Sequence, residues 1–177
     1  MTTPTITTVP TPSTGPVGTF TSDEATLAGG NSPTGNITFL LYSPSDPTCT
    51  GPFASYFSST PVTGNATYFS GNVQVNVAGT WHWVAEYSGD ANNNPVTSPC
   101  SAEPVTITPP ATITINKYIQ PSGDTGRFNL LIDGAIAGSG TNVGNGDTTG
   151  AVPKSADATY TISESAGTGT DLNNYTR

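Results

Sequence analysis

His82 is the only histidine in the chain, and it stands between two tryptophans in the run Trp81-His-Trp-Val-Ala-Glu-Tyr87. A Ser-His-acid triad would have to use it, yet no Gly-x-Ser-x-Gly elbow is present to expose a nucleophile. The 12 acids could in number furnish the carboxylate pair of a glycosidase, but they sit mostly in turns, where nothing predicts a deep cleft. Cys49 and Cys100 are too few for a structural zinc site, even with His82 added. Both lie beside proline and turn residues and read as a disulfide between the ends of two strands; the alternative is a pair of free buried thiols. Closing a loop of about 50 residues would contribute on the order of 4 kcal/mol. Such a bond would place the protein outside the cytoplasm.

Asp90-Ala-Asn-Asn-Asn94 has oxygen-bearing side chains at the alternation of a calcium loop. The position that needs glycine holds Pro95, and the position that needs glutamate holds Ser101, so the helical calcium-hand reading fails. Calcium held between loops is a separate reading that this pattern leaves open. Gly138, Gly140, Gly144, Gly146 and Gly150 miss the dinucleotide spacing and follow no strand-to-helix unit, so they predict a flexible loop. Asn36-Ile-Thr, Asn65-Ala-Thr and Asn174-Tyr-Thr fit the N-glycosylation sequon, although a chain rich in Asn and Thr supplies such triplets by chance. No cofactor or resident metal is expected.

The elements that would position these groups are strands. Only 33% of the 177 residues are hydrophobic and 9% charged, with 20 Gly and 16 Pro. Hydrophobic periodicity is two throughout, with no amphipathic helix. Strands are expected over Thr5–Val9, Phe20–Leu27, Asn36–Tyr42, Ala66–Val77, Thr80–Tyr87 and Glu103–Thr108, separated by clusters such as Ser43-Pro-Ser-Asp-Pro47. That spacing predicts a β-sandwich. Pro109-Pro110 stops the last strand, because proline cannot donate to a ladder, and reads as a short stiff linker. Strands are expected again over Ala111–Ile119, Arg127–Ile132 and Ala158–Glu164, with a turn at Asp133-Gly134. The domains are therefore 1–109 and 110–177, the second expected to lack its last strand. Within the first, alternation sends Trp81, Trp83, Ala85 and Tyr87 to one face as core aromatics, and His82, Val84 and Glu86 to the other. An aromatic platform for stacking sugars is the functional alternative.

Net charge is −8, and residues 1–110 contain no Lys or Arg. Without a basic footprint, binding to nucleic acid or to an anionic membrane surface is excluded as an expectation. No apolar run approaches the roughly 20 residues of a spanning helix.

The run Asn31-Ser-Pro-Thr-Gly-Asn-Ile-Thr-Phe-Leu-Leu-Tyr42, Cys49, Gly79-Thr-Trp-His-Trp-Val-Ala-Glu-Tyr-Ser-Gly-Asp-Ala-Asn92 and Cys100 resemble a bacterial immunoglobulin-like repeat domain. Ile115-Asn-Lys117 and Tyr160-Thr-Ile-Ser-Glu164 resemble the prealbumin-like domains of Gram-positive adhesins and pilin shafts. The fold class expected is all-β, an immunoglobulin-like sandwich followed by an incomplete prealbumin-like one. The resemblance implies a non-catalytic spacer or stalk in a secreted or cell-surface protein, with neighbouring domains of that protein as partners. The rival is a module that binds a carbohydrate or matrix protein through loops at one end of the sandwich. A third reading is an accessory domain of a secreted hydrolase.

Some prealbumin-like domains join a first-strand lysine to a last-strand Asn or Asp by an isopeptide bond, with a buried acid passing protons in an apolar setting. The resemblance places Lys117 and Glu164 at the lysine and acid positions. After Glu164, however, the chain reads Ser-Ala-Gly-Thr-Gly-Thr-Asp-Leu172 where that family carries proline, and the strand that would bring the acceptor falls beyond Arg177. The expectation is therefore a solvated Lys117 and a surface Glu164.

Overall fold

The structure, a computed structural model, describes residues 1–52, 56–156 and 158–175, with the backbone alone at 56 and 57. Thr176 of the third sequon and Arg177 lie outside these residues. The fold is all-β: the described residues contain no α-helix, only a 3-10 turn at Leu172–Asn174. The chain divides into two compact units, Met1–Pro109 and Pro110–Arg177.

Unit 1 contains β1 (Thr5–Thr11), β2 (Thr14–Pro16), β3 (Phe20–Ala28), β4 (Asn36–Tyr42) and β5 (Tyr56–Pro61). It continues with β6 (Thr67–Phe69), β7 (Val73–Gln74), β8 (Gly79–Tyr87), β9 (Val96–Thr97) and β10 (Pro104–Thr108). One sheet has the order β1-β3-β6, with β7 also on β3. The other runs β2-β10-β8-β4-β5, with β9 also on β8. The chain leaves the first sheet after β1 and enters the second as β2, which pairs parallel to β10 through Thr14↔Thr106 and Pro16↔Thr108.

Alternation explains the core. In β3 every second residue, Thr21 to Leu27, is buried, and in β8 Trp81, Trp83, Ala85 and Tyr87 point inward. They meet Ile37, Phe39 and Leu41 from β4 and Val105 and Ile107 from β10. Gly35 takes φ +88° ahead of β4, and a side chain there would stand 2.8 Å from the Gly89 carbonyl oxygen. Only glycine admits that approach without strain.

Three expectations change. The stretch 66–77 is not one strand but β6 and β7, interrupted at Ser70-Gly71-Asn72, where Gly71 takes φ +83°. β5 carries no strong alternation and becomes a strand by pairing along β4 from Asn36↔Pro61 to Leu41↔Tyr56. The short β9 forms because its two residues meet Glu86 and Tyr87 of β8.

Unit 2 contains β11 (Ala111–Ile113), β12 (Phe128–Ile132), β13 (Ala135–Ile136), β14 (Val152–Lys154) and β15 (Ile162–Ala166). β11 pairs with β14, and a three-stranded sheet has the order β13-β12-β15. Asp133 (φ 54°) and Gly134 (φ 79°) make the two-residue turn between β12 and β13, the geometry that Asp-Gly favours in tight hairpins. Phe128, Leu130, Ile119 and Val143 form a small core, closed by Leu172 and by Tyr175, whose ring meets Phe128 edge-on at 5.0 Å.

Three expectations change here as well. Regular strand stops at Ile113 rather than Ile119, and β15 begins only at Ile162. The glycine-rich stretch 138–150 is not loose. Val143 exchanges both backbone hydrogen bonds with Phe128, and Thr149 and Asp147 bond Ile115 and Lys117.

Candidate functional site

Trp81, Trp83 and Tyr87 are inside the sandwich, at 4%, 0% and 1% exposure. The indole of Trp81 donates to the Val77 carbonyl at 2.9 Å. These rings are core aromatics and present no stacking surface. His82, on the opposite face of β8, places Nδ1 3.0 Å from the Cys100 carbonyl oxygen, so the imidazole packs beside the disulfide region.

Cys49 and Cys100 form a disulfide, with Cα atoms 5.9 Å apart. It joins two loops rather than two strand ends: Cys49 follows β4 in the 43–52 loop, and Cys100 lies in the turn between β9 and β10. The pair packs on the outer face of the second sheet, over Leu40, Tyr42 and Val84. This accounts for apolar residues at outward positions of β4 and β8, which alternation alone would leave in water. The Leu40-Leu41 doublet was the sequence signal of a face covered on both sides.

The Asp90 loop ties three segments of unit 1 together. Asp90 Oδ2 accepts from the Thr34 amide at 2.6 Å and the Tyr87 hydroxyl at 3.0 Å. Oδ1 accepts from the amides of Asn92 at 2.7 Å and Asn93 at 2.9 Å. The Thr34 amide leads in holding the Asp90 carboxyl well below the usual carboxylate range, with the Asn92 amide, the Asn93 side chain and Tyr87 helping. Burial, then Asp90, pushes the Tyr87 phenol up to about 12. Asn93 is fully buried and reaches Asn31 and Thr2. Both Asp90 oxygens are thus engaged by protein donors, and this arrangement is a structural Asx motif. Among the described residues no group of three His, Cys, Asp or Glu is placed to hold a metal ion. Asn65 of the second sequon exchanges both amide hydrogen bonds with the Gly30 backbone.

In unit 2, Lys117 and Glu164 come together, which corrects the expectation of a solvated lysine and a surface acid. Lys117 Nζ lies 2.6 Å from Glu164 Oε2, the two side chains only 14% and 19% exposed. The same ammonium sits 3.8 Å from the centroid of the Phe128 ring, a desolvated cation–π geometry. The strands bring this about. Phe128 opens β12, and β15 pairs antiparallel to β12 with Leu130 opposite Glu164.

The pair lies in a groove of about 480 Å³, lined by Ile115, Asn116, Tyr118, Leu130 and Ile162 among others. Ile115 and Lys117 use their backbone groups on residues 146–149, and alternation turns those of Asn116 and Tyr118 to the other side. On β15, the bonds Asp133 N–H to Thr161 and Gly167 N–H to Arg127 set the same alternation, so the backbone of Ile162 and Ala166 faces away from β12.

Comparison with family models, curated proteins and solved structures finds no match to this chain. The disulfide fits an oxidising compartment, and among the described residues no helix is long and apolar enough to cross a membrane.

Proposed function

We propose that the chain is a non-catalytic, load-bearing segment of a secreted or cell-surface protein, built from an immunoglobulin-like and a prealbumin-like module. The observation that carries this reading is the parallel pairing of β2 with β10 in unit 1. Tension on the two ends of that unit draws β2 and β10 in opposite directions along their length. Their hydrogen bonds are then loaded together in shear rather than opened one after another. A clamp between the first and last parts of a module suits a tether.

The disulfide adds a second mechanical feature, because it withholds the chain between Cys49 and Cys100 from extension. Single-molecule stretching of the full chain tests both. Unit 1 is expected to open in one step at a force well above that of a variant with Thr106→Pro and Thr108→Pro, the two β10 residues whose backbone groups face β2. With the separation of 51 residues, reduction should lengthen the step by roughly 170 Å. Gradual extension at low force in the oxidised protein would overturn the reading.

In unit 2 the reading adds an extended segment laid into the Lys117 groove as a further strand. The alternation of backbone groups at Asn116, Tyr118, Ile162 and Ala166 supports this, since main-chain pairing is how an open sheet edge takes up a peptide. An Asn or Asp on that segment, brought against Lys117 Nζ, would complete the cross-link implied by the prealbumin-like resemblance. The lysine nitrogen would bond the side-chain carbonyl carbon, with ammonia leaving from Asn or water from Asp, and Glu164 would move the protons.

A further inference from the structure

Asp23 lies on β3 between Ser22 and Glu24, and the alternation of that strand turns it into the sandwich beside Ala25 and Thr21. It is 1% exposed, and among the described residues no donor makes a hydrogen bond of good geometry to either carboxylate oxygen. Its strand neighbour on β1 is Pro10, which has no amide hydrogen to offer. Ser70 accepts from the Asp23 amide at 2.8 Å and gives its own hydroxyl hydrogen to the Gly71 carbonyl.

The charges around it are all of one sign. β1, β6, β7 and β10 carry no charged side chain. Glu103, just before β10, and Glu24, next along β3, both oppose ionisation of Asp23. Glu103 is itself raised by burial, with Thr8 of β1 partly relieving it. The inward side of β8 presents Trp81, Trp83, Ala85 and Tyr87, while His82 and Glu86 point the other way. The Tyr68 hydroxyl of β6 is occupied by Thr63 and Gly64, and that of Tyr87 by Asp90. No Lys or Arg exists anywhere in residues 1–110 to compensate a buried anion. A carboxylate with no well-aligned donor and no counter-charge is too costly to keep ionised in a low-dielectric interior, and it takes up a proton instead.

We propose that Asp23 is a proton-binding site: unit 1 takes up a proton there as it folds and loses its hold when the proton leaves, which makes the sandwich a pH-responsive module, firmest in mildly acidic surroundings. Burial leads, followed by Glu103, in lifting the carboxyl to about 7, with the nearby Glu24 and Val9 amides restraining it in part. The inference stands apart from the load-bearing reading, since it needs only the interior of unit 1.

Two measurements on the full chain test it. Carbon-detected NMR should show the Asp23 carboxyl titrating above about pH 6, whereas an isolated Asp titrates near 4. A midpoint in that ordinary range would overturn the proposal. Urea unfolding followed by tryptophan emission should show the folded-to-unfolded ratio falling about tenfold per pH unit between about pH 5 and pH 7. Asp23→Asn should flatten that slope and exceed the native protein in stability at about pH 8. An unchanged slope in Asp23→Asn would overturn the proposal. So would millimolar calcium flattening the slope of the native protein, because the site would then belong to a metal ion.

Discussion

Lys117 and Glu164, 47 residues apart in sequence, meet at 2.6 Å with the ring of Phe128 against the same ammonium. One cation is thus shared between a carboxylate and an aromatic face inside a module whose core holds few large side chains. Lys117→Met would take the ammonium away from the Glu164 carboxylate and from the Phe128 face, at a cost of about 2 kcal/mol to unit 2. Glu164→Gln keeps an acceptor for the ammonium and should cost less. Amide exchange at Leu130 and Ile132 is the readout, and unchanged protection in Lys117→Met would mean that the pair contributes nothing to the fold.

Reduction of Cys49–Cys100 should destabilise unit 1 by about 4 kcal/mol, lowering its melting temperature by about 15 °C or more. The loss has a local face as well, since the sulfurs cover Leu40, Tyr42 and Val84. Calorimetry with and without dithiothreitol reads the first effect. Binding of a hydrophobic dye below the melting transition reads the second.

Trp81 and Trp83 should both emit at short wavelength and resist acrylamide, because neither exposes more than 4% of its surface. Trp83→Ala should cost about 4 kcal/mol, as a large-to-small change in a packed core. Easy quenching of either indole in the folded protein would show that β8 presents an accessible aromatic platform.

Stability of unit 1 should pass through a maximum in acid. Asp90, held below its ordinary 3.8, contributes stability above that pH and loses it as pH falls through its folded value. Asp23, raised from 3.8 to about 7, contributes stability in full below 3.8 and loses it as pH rises to about 7. The two slopes meet near pH 4, and the Asp23 limb is worth on the order of 4 kcal/mol. Chemical denaturation across pH 2 to 9 would show the dome. A plateau from about pH 5 to pH 8 would contradict it.

Local chemistry determined a great deal of this protein before any packing was known. Alternation along Trp81–Tyr87 decides which side chains face inward. Asp133-Gly134 dictates a tight hairpin, and Pro109-Pro110 ends a ladder that needs amide hydrogens. Each of these rests on a few neighbouring residues, which is why the sequence alone discloses it. Tertiary structure decided what depends on distant partners. β5 and β9 are strands because β4 and β8 offer them edges, not because their own residues insist on it. Leu40 and Val84 are buried because a disulfide between two loops lies over them. Lys117 and Glu164 become a pair only when β12 and β15 align, and Asp23 is buried without a well-aligned donor only when the second sheet closes over it. Burial and pairing between residues far apart in sequence are set by the register of whole sheets, and no local pattern carries that register.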